Sequence, residues 1–234
     1  MQPETNNKLI VALDLPSTTK AEKLVEKLGD TVTFYKIGLS LMPVGGFSLA
    51  KKLKKLGKKV FLDLKLFDIG HTIENTIRNL NQLDIDFLTV HGDPQVVRSA
   101  SKAKKNPAMK ILAVTLLTSM DRDDLNDSLI KDGNITDLVA QRAKNALLSG
   151  ADGVIASPNE AKKIRGLTES SGKLIVTPGV RISQKKNNDQ KRVADPETAF
   201  KNGSDYIVVG RPIFSSKNPK KEVKKFQFPI IKHF

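Results

Sequence analysis

Eight short apolar runs, separated by segments of helical period, constrain this chain more than any other feature. The runs cover residues 9–13, 34–37, 60–62, 87–90, 111–116, 153–156, 174–176 and 206–209. They are rich in Val, Ile and Leu and too short for buried helices, which makes them strands covered on both faces. Between them, apolar positions at helical spacing predict helices over 19–28, 47–56, 72–83, 137–149 and 196–202. Ser17-Thr18-Thr19 and Asp195-Pro196 are helix-start signals, and Gly29, Gly57, Gly150 and Gly203 fall where helices should stop. Strand-helix alternation implies right-handed crossovers and a parallel sheet. Eight evenly spread units fit a closed barrel better than an open, doubly wound sheet. The expected fold is therefore α/β, a (β/α)8 TIM barrel occupying 1–234 as one domain. The 234 residues suit a barrel of this kind, which takes about 200–250. No linker or low-complexity tract divides the chain, and the tail 226–234 is expected to pack back as a helix or strap.

A hydrophobic fraction of 39% supplies a sizeable core. No run approaches the roughly 18 apolar residues of a membrane helix, and the polar start lacks the apolar stretch of a signal peptide. The expectation is a cytoplasmic protein with no membrane partner. The absence of cysteine removes disulfides, thiolate nucleophiles and Cys-based metal sites from consideration. The net charge of +14 has three readings. These are nucleic-acid binding, steering of a small anionic substrate, and a lysine-rich solvent face with no specific role. Lys51, Lys52, Lys54, Lys55, Lys58 and Lys59 sit at helical solvent positions with no aromatic residues interleaved to stack bases. That pattern favours the third reading, and no nucleic-acid partner is expected.

In a barrel of this type the active site forms at the carboxyl ends of the strands. Residues at or just after the strands are Asp14, Lys36, Asp63 with Lys65, His91, Thr118, Ser157, Pro178-Gly179 with Arg181, and Gly210-Arg211. Alternation in an extended segment puts Phe61, Asp63 and Lys65 on one face, toward the barrel mouth. Asp68 lies beyond that strand, on a loop able to reach a neighbouring subunit. An Asp–Lys–Asp cluster in a low-dielectric mouth keeps the lysine protonated, ready to deliver a proton to carbon. The spacing alone, however, is also that of a solvated ion pair at a strand end, and in isolation it favours that plainer reading. The segments Thr177-Pro178-Gly179-Val180-Arg181 and Val209-Gly210-Arg211-Pro212 end the seventh and eighth strands, where barrels often hold phosphate. Glycine lets backbone N–H groups approach an anion, and arginine offers a planar fork of donors. The polar stretch 182–190 between them reads as a lid over that phosphate. His91 reads more simply as a core or interface histidine, and Ser157-Pro158 with Glu160 as a helix cap and first turn. No metal-spaced His/Asp/Glu cluster, Gly-x-Ser-x-Gly elbow or Walker loop is present.

With these residues in place, the chain resembles the bacterial type of the orotidine 5′-phosphate decarboxylase family, essentially end to end from Val11-Ala12-Leu13-Asp14 to Gly210-Arg211. The motifs are Asp63-x-Lys65-x-x-Asp68-Ile69-x-x-Thr72, Thr177-Pro178-Gly179-Val180-Arg181, Asp189-Gln190-x-Arg192 and Val209-Gly210-Arg211. By that resemblance, Asp14 and Lys36 would bind the ribose hydroxyls, with Lys36 also in the charge network. Lys65 would protonate C6 of the pyrimidine beside Asp63. Asp68, Ile69 and Thr72 would come from the second subunit of a homodimer. Thr118 would hold the ring. Gln190, Gly210 and Arg211 would hold the phosphate, with Pro178 and Arg181 nearby. The implied reaction converts orotidine 5′-phosphate to UMP and CO2, with no metal or organic cofactor. Where the family usually reads Asp-Ile-Pro-Asn-Thr, this chain has Asp68-Ile69-Gly70-His71-Thr72, which keeps the charge and hydroxyl and loses the proline. Two alternatives remain at this point. One is a Mg²⁺-dependent sugar-phosphate decarboxylase sharing the Asp-x-Lys-x-x-Asp segment. The other is a non-enzymatic RNA-binding barrel, suggested only by the pI of about 9.8.

Overall fold

The structure, a computed structural model, describes residues 8–182 and 193–233. Within these residues eight parallel strands close into a barrel in sequence order. They are β1 (Leu9–Ala12), β2 (Phe34–Gly38), β3 (Lys59–Leu66), β4 (Phe87–His91), β5 (Lys110–Val114), β6 (Gly153–Ile155), β7 (Leu174–Thr177) and β8 (Tyr206–Val209). The helices are α1 (Thr18–Leu28), α2 (Gly46–Lys55), α3 (Gly70–Leu80), α4 (Pro94–Ala103), α5 (Arg122–Asp127), α6 (Ile135–Leu148), α7 (Pro158–Arg165), α8 (Pro196–Lys201), α9 (Arg211–Phe214) and α10 (Pro219–His233). The (β/α)8 barrel expected from the alternation is therefore the observed architecture.

Each apolar run lies on its strand, and the largest difference is in β3. The run stops at Leu62, but the strand continues to Leu66. Polar side chains end an apolar pattern without ending backbone pairing. Gly38 still aligns with Asp63, and pairing to β4 resumes at Leu66↔Val90 after a register shift. At the other extreme, α4 escaped the helical pattern although it buries Val96, Val97, Ala100 and Ala103 on one face. The reading of Ser157 as a helix cap holds: its hydroxyl accepts from Asn159 N at 3.2 Å and opens α7. The tail begins its helix earlier than expected, at Pro219, and buries Val223 and Phe226.

Two apolar layers hold the barrel. Outward-facing strand residues pack under the helices, as with Leu9, Val11, Tyr35, Ile37, Leu62 and Leu88. A separate interior cluster contains Ile10, Ala12, Phe34, Phe61, Phe87, Leu112, Val114, Ile155, Val176 and Val208. Phe34, Phe61, Phe87 and Tyr206 meet edge-to-face inside it, with centroids 4.9–5.9 Å apart. These rings plug the barrel, so only its upper end is open for chemistry. The close pairing of β6 with β7 depends on Gly153, where a Cβ would lie 2.4 Å from the Leu174 carbonyl oxygen.

The lower rim carries a repeated device. Asp86, Asp152 and Asp205 each immediately precede an even-numbered strand. Each accepts a backbone N–H from the preceding odd strand: Val60 at 2.8 Å, Ile111 at 2.7 Å and Ile175 at 2.7 Å. Each also pairs with a basic side chain, Lys54, Lys104 or Arg165. Three strand starts are thus satisfied by the same chemistry.

Candidate active site

The strand ends surround a cavity of about 430 Å³ lined by Asp14, Lys36, Asp63, Lys65, Thr118, Pro178, Arg181, Gly210 and Arg211, among others. These residues were singled out from sequence, and the fold brings all of them to one mouth. Phe61 and Ala12 come from the barrel interior, and Leu116, Leu117 and Phe214 add apolar wall.

One side of the cavity is a row of alternating charges. Leu15 N bonds back to Leu13 O at 2.8 Å, which closes a tight turn with Asp14 at its apex. Lys36, directed inward from β2, lies 3.0 Å from Asp14 and 3.2 Å from Asp63. Lys65 lies 2.7 Å from the other oxygen of Asp63. The order is Asp14, Lys36, Asp63, Lys65, with the two inner members the most buried. Burial alone would lower the Lys36 pKa, but the carboxylates of Asp63 and Asp14 outweigh it and hold it above the usual lysine range. Burial alone would likewise raise Asp63, and the ammonium groups of Lys36 and Lys65 hold it below the usual carboxylate range. Both inner groups are therefore ionised at neutral pH.

The backbone beneath this row is not the simple extended segment that alternation assumes. Lys65 has φ 48°, the left-handed region, at the register shift between β3 and β4. The two charges meet because of this local turn, not through a two-residue repeat. Two supporting residues were missed from sequence. Thr89 on β4 is fully buried, donates its hydroxyl to Asp63 at 2.9 Å and accepts from Lys65 N at 3.0 Å. Its signal was a lone hydroxyl inside the run Phe87-Leu88-Thr89-Val90. Gly38 ends β2, and a Cβ there would stand 2.5 Å from Asp14 Oδ1 and 3.2 Å from Lys36 Nζ. A side chain there would force the Asp14 carboxylate to shift.

Across the barrel, the ends of β7 and β8 bring Pro178, Arg181, Gly210 and Arg211 into the same cavity. Arg181 N donates to Ala194 O at 2.9 Å, which ties the end of β7 to the segment leading into α8. Gln190, together with most of the expected lid, lies outside the described residues. Asp68, Ile69 and Thr72 do not line the cavity and are exposed, with Ile69 at 69%. Gly70, in place of the family's proline, is the first residue of α3, and a Cβ there would meet Ser99 Oγ at 2.7 Å. His91 is also outside the cavity: its ring pairs with Asp93 and lies 4.7 Å from the Phe67 ring. No helix among the described residues is long and apolar enough to cross a membrane.

The fold is shared with known proteins. The family model for orotidine 5′-phosphate decarboxylase / HUMPS matches residues 7–226. An orotidine 5′-phosphate decarboxylase of Jannaschia sp. (strain CCS1) is 55% identical over 217 residues, 92% of this chain and 95% of that protein. One from Ruegeria pomeroyi is also 55% identical, over 92% of this chain and 90% of its own length. Among solved structures, orotidine 5′-phosphate decarboxylase from Lactobacillus acidophilus superposes with TM-score 0.83 at 37% identity, covering 96% of this chain and 99% of that one. With a barrel whose mouth carries the alternating charge row, and with relatives this similar over nearly its whole length, the chain belongs to the orotidine 5′-phosphate decarboxylase / HUMPS family.

Proposed function

We propose that this protein decarboxylates orotidine 5′-phosphate to UMP and CO2, the last step of de novo pyrimidine nucleotide synthesis. The observation that carries the reading is Asp63, a nearly buried carboxylate bonded by both Lys36 and Lys65 at the edge of the cavity. The substrate's 5′-phosphate is held by Gly210 and Arg211, with Arg181 and Pro178 nearby; the family resemblance adds Gln190, which lies outside the described residues. Its ribose hydroxyls meet Asp14 and Lys36, and Thr118 faces the ring. That orientation brings the C6 carboxylate toward Asp63 and Lys65, on the opposite wall from the phosphate.

Breaking the C6–carboxylate bond releases CO2 and leaves its electron pair on C6. The Lys65 ammonium stabilises that charge and then transfers its proton to C6, and the lysine regains a proton from solvent. The ionised state of Asp63 keeps an ammonium in place before substrate arrives. Binding energy at the remote phosphate positions the ring, so it assists a bond several atoms away. Asp68, Ile69 and Thr72, exposed on one protomer, complete the site of a second copy in a homodimer. A cytoplasmic, single-domain enzyme acting on this small molecule without a metal or organic cofactor fits these roles.

The test is turnover of orotidine 5′-phosphate by purified protein, followed as loss of its ultraviolet absorbance in the presence of a chelator. Continued turnover supports the reading. Activity that disappears with the chelator, or appears only on a keto-sugar phosphate, moves the assignment to a metal-dependent relative. RNA affinity that is sensitive to salt, with no turnover, favours a binding protein instead.

A further inference from the structure

Thr89 lies within β4 with its side chain inside the barrel, directly beneath the charge row. A hydroxyl has one proton to give. The Lys65 amide can only donate, so the Thr89 oxygen accepts there at 3.0 Å and its proton goes to Asp63 Oδ1 at 2.9 Å. That same carboxylate oxygen also takes the Lys65 ammonium at 2.7 Å. One side chain therefore fixes both ends of the Asp63–Lys65 pair, the carboxylate directly and the lysine through its backbone.

The backbone contact matters because of the conformation it holds. A non-glycine residue at φ 48° is uncommon and persists where its surroundings impose it. Pairing between β3 and β4 is interrupted between Leu62 and Leu66, so a side chain from β4 takes the Lys65 N–H at this point.

We infer that Thr89 is a positioning residue for the decarboxylation: its hydroxyl orients the Asp63 carboxylate and locks the left-handed turn that aims the Lys65 ammonium at C6. The inference rests on the proposed function, in which Lys65 is the proton donor. Thr89 touches no part of the substrate, and its effect is confined to the chemical step.

The experiment compares Thr89→Val, which keeps the shape and removes the hydroxyl, with Thr89→Ser, which keeps the hydroxyl. Valine leaves the Lys65 amide unpaired and Asp63 one donor short, so kcat should fall about tenfold to a hundredfold. KM for orotidine 5′-phosphate and the Kd of UMP should stay within about twofold, because those contacts lie elsewhere. Serine should restore the wild-type kcat. A valine variant with wild-type kcat overturns the inference, as does a serine variant that falls equally far or a loss expressed in KM alone. If the valine variant does not fold, Thr89→Ala replaces it, and equal kcat for alanine and serine overturns the inference. Failure of the parent reading is seen separately, as wild-type protein that leaves orotidine 5′-phosphate unconsumed, and it takes this inference with it.

Discussion

Lys36 and Lys65 reach opposite oxygens of a single carboxylate, Lys36 Nζ at 3.2 Å from Asp63 Oδ2 and Lys65 Nζ at 2.7 Å from Oδ1. The two lysines come from adjacent strands and differ in burial: the Lys36 side chain is 10% exposed and that of Lys65 39%. The buried lysine anchors the carboxylate and is itself held by Asp14, while the more exposed one has Asp63 as its carboxylate partner. Both line the cavity, so the difference lies in how firmly each is held, by two carboxylates for Lys36 and by one for Lys65.

Lys65→Ala should lower kcat by about 10²–10⁴-fold, the range for loss of a general acid, while UMP still binds. Asp68→Ala should also be slow. If Asp68 serves the partner's site, mixing the two inactive variants after subunit exchange creates hybrid dimers with one intact site. Steady-state assays should then show roughly a quarter of wild-type activity, from the statistics of an isologous dimer. Mixtures as inactive as the separate variants would place Asp68 outside the partner's site.

Lys36→Met should change the pH dependence of stability in a defined direction. The folded pKa of Asp63 lies below the ordinary aspartate value of 3.8, so its stabilising contribution is present above that pH and is lost as pH falls through the lower folded value. Removing Lys36 takes away one of the two cations beside Asp63 and raises its folded pKa. Urea unfolding from about pH 7 down to about pH 2 should show a smaller acid loss in the variant, completed at higher pH than in wild type. At the alkaline end the raised Lys36 pKa has the opposite sign. Its contribution is full below 10.5, is lost as pH rises through the folded value, and should be missing from the variant.

Arg211→Ala should weaken UMP binding about tenfold to a hundredfold, the scale of hydrogen bonds to a charged group. Calorimetric titration with UMP and with uridine checks this, because uridine lacks the phosphate and its affinity should be nearly unchanged. An equal loss for both ligands would move the phosphate site elsewhere.

Asp152→Ala should act on stability alone. The substitution removes the acceptor of Ile111 N and the partner of Lys104 at the lower rim. An orphaned amide and a lost ion pair cost about 1–3 kcal/mol, read as a lower urea midpoint. At the opposite end of the barrel from the cavity, the change should leave kcat and KM as they are.

The barrel was legible because burial on both strand faces writes continuous apolar runs, and eight of them leave few topologies. The cavity residues were legible because strand ends in this fold converge on one mouth, so Asp14, Lys36, Lys65, Arg181 and Arg211 could be picked by position. The limits of β3 were not, because Asp63 and Lys65 interrupt hydropathy without interrupting pairing. Helix α4 was missed although its buried face is present in the chain as Val96, Val97, Ala100 and Ala103. Thr89 and Gly38 were invisible for a different reason: each matters only through atoms contributed by another strand.

By itself the sequence determined the alternation of strand and helix, the closed parallel barrel and the set of charged residues at its mouth. These follow from periodicity and from the order of residues along one chain. Tertiary structure alone decided that Lys36 and Lys65 share one carboxylate, that Lys65 turns left-handed over Thr89, and that Gly38 leaves space for the first ion pair. Those facts depend on register between neighbouring strands, where a shift of one residue reverses which side chains face inward. An Asp-x-Lys spacing that could have been a solvated surface pair became, through that register, a nearly buried network at the edge of a cavity.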